Sequence, residues 1–75
     1  MNSIVPNISS APDVILRLPD VERASGLKRS QIYELIDQGA FPAPIKLGGR
    51  AVGWLQREMT AWQQKRIAER DAVAA

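Results

Sequence analysis

The chain has 75 residues, 45% hydrophobic and 24% charged, with ten basic and eight acidic groups and a net charge of +2. That length allows one small domain, and the composition is that of a folded chain rather than a disordered one. Cysteine and histidine are both absent, which excludes disulfide staples, zinc sites built on thiolate or imidazole, and triads that need either residue.

Taken in chain order, the first dozen residues, MNSIVPNISSAP, are rich in Asn, Ser and Pro and read as an arm without a fixed structure of its own. Asp13 to Leu18 is apolar and β-branched, either a short strand or an extended lead-in. Pro19 suits the first turn of a helix, and Asp20 and Glu22 favour its positive end. Leu18, Val21 and Ala24 recur at helical spacing, and Gly26 can end the helix in a left-handed conformation, so helix one is expected at 19–25.

Leu27 is expected to be a buried turn residue. In KRSQIYELIDQG, Ile32, Leu35 and Ile36 form a narrow apolar stripe closed by Gly39, which predicts helix two at 29–38. Lys28 falls at its N-cap, where lysine is a poor cap. Phe41-Pro42-Ala43-Pro44 is incompatible with helix and reads as an extended linker that tucks Phe41 into the core. Ile45-Lys46-Leu47 alternates as a half-buried strand, Gly48-Gly49-Arg50 supplies turn chemistry, and Ala51-Val52-Gly53-Trp54 returns antiparallel. The segment from Leu55 to Val73 is helical by propensity, with Leu55, Met59 and Trp62 on one face. The expected organisation is an arm at 1–13, a folded domain at 14–71 and a fraying end at 72–75.

Helix, tight glycine turn, helix, hairpin, helix is the order of a small winged helix-turn-helix, mainly α with one short β-hairpin. In that motif the start of the second helix enters the major groove. Here that start is Lys28-Arg29-Ser30-Gln31, four hydrogen-bond donors with no negative charge. Arg29 can grip a guanine edge bidentately and Gln31 an adenine edge. Ser30 can reach a base or a phosphate, and Lys28 suits a phosphate. Tyr33 borders the apolar stripe; its hydroxyl either sits at the core's rim or bonds a phosphate, and the second role is favoured. Lys46 and Arg50 flank Gly48 and Gly49 at the hairpin tip, a cationic wing whose glycines permit close approach of backbone to a strand of DNA. Residues 28–50 carry four basic groups and two acidic ones, which locates the positive charge in these two segments.

Bland readings compete at each position. Charges can simply guard an exposed edge strand, and Lys65, Arg66 and Arg70 read as a solvated helix face. Phe41, Trp54 and Trp62 read as core, and Glu58 as a first-turn helix group. No pair of carboxylates is placed in a pocket, so an enzyme is rejected, and no cofactor is implied.

The run from Arg17 to about Arg70 resembles the AlpA family of prophage regulators, which belongs with excisionases and MerR-type DNA-binding domains. The matching pieces are Arg17-Leu18-Pro19, Gly26-Leu27, Ser30 with Ile32-Tyr33, Gly39 with Phe41-Pro42, Ile45-Lys46-Leu47-Gly48, Arg50, Val52-Gly53-Trp54, Glu58 and Trp62. One departure is Lys28, where the family has Ser or Thr. The resemblance implies a transcription regulator that binds double-stranded DNA, takes no cofactor and assembles on repeated sites. The alternatives are an excisionase, which bends DNA beside an attachment site and recruits integrase, and a protein-interaction module such as an antitoxin. A regulator instead competes with or recruits RNA polymerase. No apolar run approaches the ~20 residues that span a bilayer. The N-terminus lacks the pattern of a secretory leader. The expected location is therefore cytoplasmic, with no membrane partner.

Overall fold

A computed structural model describes residues 11–74. Residues 1–10 of the expected arm lie outside the described residues. The elements are β1 (Ile15–Leu16), α1 (Leu18–Ser25), α2 (Arg29–Asp37), β2 (Ile45–Gly48), β3 (Ala51–Leu55) and α3 (Gln56–Ala74).

Local chemistry sets the ends of the first two helices. Arg17 is the N-cap of α1 in an extended conformation, and its carbonyl accepts the Asp20 and Val21 amides at 2.9 and 3.0 Å. Pro19 sits in the first turn, where its missing N–H leaves nothing unpaired. Gly26 closes α1 at φ +74°, a conformation glycine reaches without a Cβ penalty, and its amide returns to the Glu22 carbonyl. Ser25 Oγ accepts the Leu27 amide at 3.1 Å, which tightens the turn into α2. At the far end of α2, Gly39 N–H bonds Ile36 O at 3.0 Å and Ala40 N–H bonds Leu35 O at 2.8 Å. This paired closure turns the chain out of the helix and into the proline linker.

The sheet has three strands in the order β1-β3-β2, both pairs antiparallel. The segment at 13–18 is thus a true strand over Ile15–Leu16, which adds to the expected hairpin. Its register is Ile15 opposite Leu55 and Leu16 opposite Trp54. Leu55 therefore ends β3 and does not open the last helix as its spacing to Met59 and Trp62 suggests. The strand runs into α3 without a break, and Gln56 N–H bonds Val14 O at 2.9 Å across the junction. On the wing side Lys46 faces Val52 and Gly48 faces Ala51, so Leu47 is an extra residue that bulges β2 beside the tip.

Each packing element gives one residue to a small core: Val21 from α1, Ile32 from α2, Phe41 from the linker, Trp54 from β3 and Met59 from α3. Leu27 is half-buried against this cluster. Two indoles hold the linker in place. Trp54 Nε1 donates to the Pro42 carbonyl at 2.9 Å, and Trp62 Nε1 donates to the Ala40 carbonyl at 3.1 Å. Trp62 is only half-buried, with its ring edge-on to Phe41 at 5.0 Å between centroids. Gln63 Nε2 donates to Ala24 O at 2.6 Å and ties α3 to the end of α1. Beyond Gln63 the described side chains of α3 are all exposed, and the helix continues through residues 72–74.

Gly53, at the centre of the sheet, has no room for a side chain. A Cβ there would overlap Ile15 Cγ2 and press on Leu47 Cδ1 at 3.1 Å and on the Leu16 carbonyl at 3.2 Å. Gly53→Ala is expected to destabilise the domain by about 1–3 kcal/mol, since neither the backbone carbonyl nor the β-branched neighbour yields easily. Thermal denaturation followed by circular dichroism checks this.

Candidate nucleic-acid interface

The nine residues singled out from sequence fall in two places. Lys28, Arg29, Ser30 and Gln31 are exposed around the start of α2, with Tyr33 half-buried one turn further on. Lys46, Gly48, Gly49 and Arg50 are all exposed on the wing. Lys28, Arg29, Ser30 and Tyr33 border one shallow, open depression, together with Glu22 of α1. The wing residues do not line it.

The start of α2 is half capped. Lys28 has the extended backbone of an N-cap, with φ −91° and ψ 165°. Its amide donates to Gln31 Oε1 at 3.0 Å, so the third helical residue reaches back as in a capping box. The reciprocal bond is missing, because an ammonium group has donors only. Gln31 thus has a structural role beside the expected one. Its amide oxygen accepts from the Lys28 amide and keeps a second lone pair, so bidentate reading of adenine would share that oxygen with the cap. In the free protein Gln31 acts first as a cap. Its place three residues after the N-cap was the signal for this, hidden because the cap residue is lysine.

Arg29 and Tyr33 also act together. The guanidinium carbon of Arg29 lies 5.6 Å from the Tyr33 ring centroid, a cation–π contact at i, i+4 spacing. Tyr33 in turn meets the buried Trp54 edge-on at 6.2 Å.

In the wing, Gly48 and Gly49 take φ of +133° and +54°. Neither glycine has another atom within 4 Å of a built Cβ, so the turn needs glycine there for its backbone shape and not for packing. At the wing's root Arg17 Nε donates to the Val52 carbonyl at 2.9 Å, opposite Lys46. Arg17 belongs to the family resemblance, but no local pattern points to this bond, because its acceptor lies 35 positions away.

The distribution of ion pairs separates the candidate cations from most of the others. Among the described residues Arg23 pairs with Asp20, Arg57 with Asp13, Arg66 with Glu69 and Arg70 with Asp71. Lys28, Arg29, Lys46 and Arg50 have no carboxylate at salt-bridge distance. Arg66 and Arg70 thus look inward to their own helix, as a solvated face does. Among the described residues there is no cluster of three or more Asp or Glu that could hold a metal ion. No described helix is long and apolar enough to cross a membrane.

Two short helices about a left-handed glycine, followed by a β-wing, define a winged helix-turn-helix domain. The profile of the family described as prophage CP4-57 regulatory protein (AlpA) matches residues 14–67, and the chain belongs to that family. It is similar to an uncharacterized protein, ORF88, of Enterobacteria phage P4, with 51% identity over 63 residues, 79% of this chain and 72% of the relative. It is also similar to the DNA-binding transcriptional activator AlpA of Escherichia coli (strain K12), with 34% identity over 58 residues, 69% of this chain and 83% of the relative. No solved structure matches it.

Proposed function

We propose that this protein is a sequence-specific regulator of transcription that binds double-stranded DNA. The start of α2 enters the major groove, and the wing from Ile45 to Trp54 lies on the phosphate backbone or in the minor groove. The observation that carries this reading is the set of four unpaired cations, Lys28, Arg29, Lys46 and Arg50, on the two segments that a winged helix-turn-helix turns toward DNA. Of the six basic groups elsewhere in the described chain, four lie at salt-bridge distance from a carboxylate and two, Arg17 and Lys65, do not. Cations left free of carboxylates release counterions from DNA without first breaking a bond. The description of the Escherichia coli relative supports the same reading.

A single module buries roughly 600–1,000 Å² of its own surface on DNA, too little for tight operator binding alone. Copies of the chain therefore occupy adjacent sites, and their combined occupancy supplies the affinity. The test is anisotropy with duplexes flanking the protein's own coding sequence, against a scrambled duplex, over a salt series. The expected result is stepwise binding with a preference of at least ~10³-fold for one fragment. Log affinity should fall against log salt with a slope of about −0.9 per phosphate contact. Equal, weak binding to both duplexes overturns the proposal. The footprint then distinguishes a promoter site from a recombination site, and with it a regulator from an excisionase.

Lys28 fits this reading through what it gives up. Lys28→Ser would complete a Ser-x-x-Gln capping box with Gln31, and the free domain should gain about 0.5–1 kcal/mol. At roughly 4–8 °C per kcal/mol for a domain of this size, the gain is visible in a melt. The same variant should bind DNA more weakly, with the salt slope reduced by about one unit if Lys28 meets a phosphate.

A further inference from the structure

The four residues around the start of α2 are all hydrogen-bond donors, yet the fold supports them unequally. Gln31 has its amide oxygen committed to the Lys28 N–H. Arg29 lies over the Tyr33 ring, 5.6 Å from its centroid. Tyr33 stands edge-on to Trp54 at an interplanar angle of 69°. Trp54 is fully buried, and its indole N–H is fixed on the Pro42 carbonyl at 2.9 Å. A continuous file of contacts thus runs from the core, through two aromatic rings, to one exposed guanidinium.

We propose that Tyr33 is a positioning residue for sequence recognition: it holds Arg29 ready to grip one guanine in the major groove, and that guanine is the strongest single base preference of the protein. This rests on the reading of α2 as the groove-entering helix. A guanidinium over an aromatic face still has N–H donors around its edge. Bidentate recognition of guanine O6 and N7 uses two edge donors. The ring contact and the base contact therefore use different parts of the group and can coexist. A flexible arginine must be ordered when it binds, and contact with Tyr33 orders it beforehand. The Tyr33 hydroxyl has no part in this; the ring alone does the positioning. The sequence expectation that the hydroxyl bonds a phosphate leads to a different outcome in the same experiment.

The experiment uses the full chain. Selection from a randomised duplex pool gives the preferred site, and each base pair of that site is then substituted in turn. The wild type should discriminate for guanine at one position by about 10–100-fold. Tyr33→Phe should keep that discrimination within about twofold. Tyr33→Leu should lower it at least threefold at that position only, with the salt slope and the affinity for scrambled DNA unchanged. Tyr33→Met serves as a second ring-free variant if the leucine chain fails to fold, as judged by circular dichroism. Proton NMR of the free protein gives a readout independent of DNA. The Arg29 side-chain resonances should carry a ring-current shift in the wild type and in Tyr33→Phe, and lose it in the ring-free variant. Retained discrimination in a folded ring-free variant, or its loss in Tyr33→Phe, overturns the inference and leaves the DNA-binding reading standing. A wild type that prefers no duplex at all overturns both.

Discussion

Trp54→Ala is expected to leave the chain unfolded at room temperature. Trp54 is the largest fully buried side chain, in a core that has only four other buried hydrophobic side chains among the described residues. Replacing a buried tryptophan by alanine costs about 3–5 kcal/mol through lost transfer energy and the cavity left behind. A single core in a domain this small supplies roughly 3–5 kcal/mol of net stability, so one substitution consumes the whole margin. The loss also reaches the parts proposed to touch DNA. Trp54 holds the Pro42 carbonyl at 2.9 Å, backs the Tyr33 ring and stands opposite Leu16 of β1. Trp54→Phe separates these roles. It keeps an aromatic ring beside Tyr33 and leaves the Pro42 carbonyl without its donor, at about 1–3 kcal/mol. That variant should fold with a melting temperature lower by about 4–24 °C, at roughly 4–8 °C per kcal/mol. A helical far-ultraviolet spectrum for Trp54→Ala, with a cooperative melt close to the wild type, would show that the core does not depend on this residue.

How much of this was legible in the sequence depends on how far apart the interacting groups are. Helix one was expected at 19–25 and lies at Leu18–Ser25; helix two was expected at 29–38 and lies at Arg29–Asp37. Pro19, Gly26 and Gly39 mark those limits by their own backbone chemistry, which needs no distant partner. Phe41 was read as a core residue in a proline-rich linker and is 7% exposed. The β1 strand stayed undecided between strand and lead-in because its partner is β3, forty positions away at Ile15 and Leu55. For the same reason sequence pattern places Leu55 in the helix: its spacing to Met59 is helical, and only the pairing with Ile15 puts it in a strand.

The candidate interface divides in the same way. The positions of Lys28, Arg29, Ser30, Gln31, Lys46 and Arg50 outside the core followed from the break in apolar patterning, and all six are exposed. The engagement of Gln31 by Lys28 and the contact of Arg29 with Tyr33 are local, at spacings of three and four. Both could have been read from sequence, but donor chemistry alone does not show which donors are already occupied. The contacts through which Trp54 and Trp62 hold the linker could not, since an indole N–H has no sequence pattern that names its acceptor.

The wing allows a second large effect that separates affinity from specificity. Lys46 and Arg50 are exposed and without carboxylate partners, on a turn whose shape is set by two positive-φ glycines. They do not line the depression bordered by Arg29 and Tyr33, and on the proposed reading they hold backbone and do not read the same bases. Each phosphate contact contributes a slope of about −0.9 in log affinity against log salt, which near 0.1 M is close to tenfold relative to 1 M. The double variant Lys46→Ala, Arg50→Ala should therefore bind about 50–100-fold more weakly at 0.1 M salt, with a slope shallower by about two units. The loss should be nearly equal on preferred and scrambled duplexes, because phosphates carry no direct sequence information. Arg29→Ala should do the reverse in part, narrowing the gap between the two duplexes by about 1–3 kcal/mol. If the wing variant instead erases the preference while the slope stays at its wild-type value, the wing reads bases. Arg50 would then be placed in the minor groove, where groove width is read by inserted arginines.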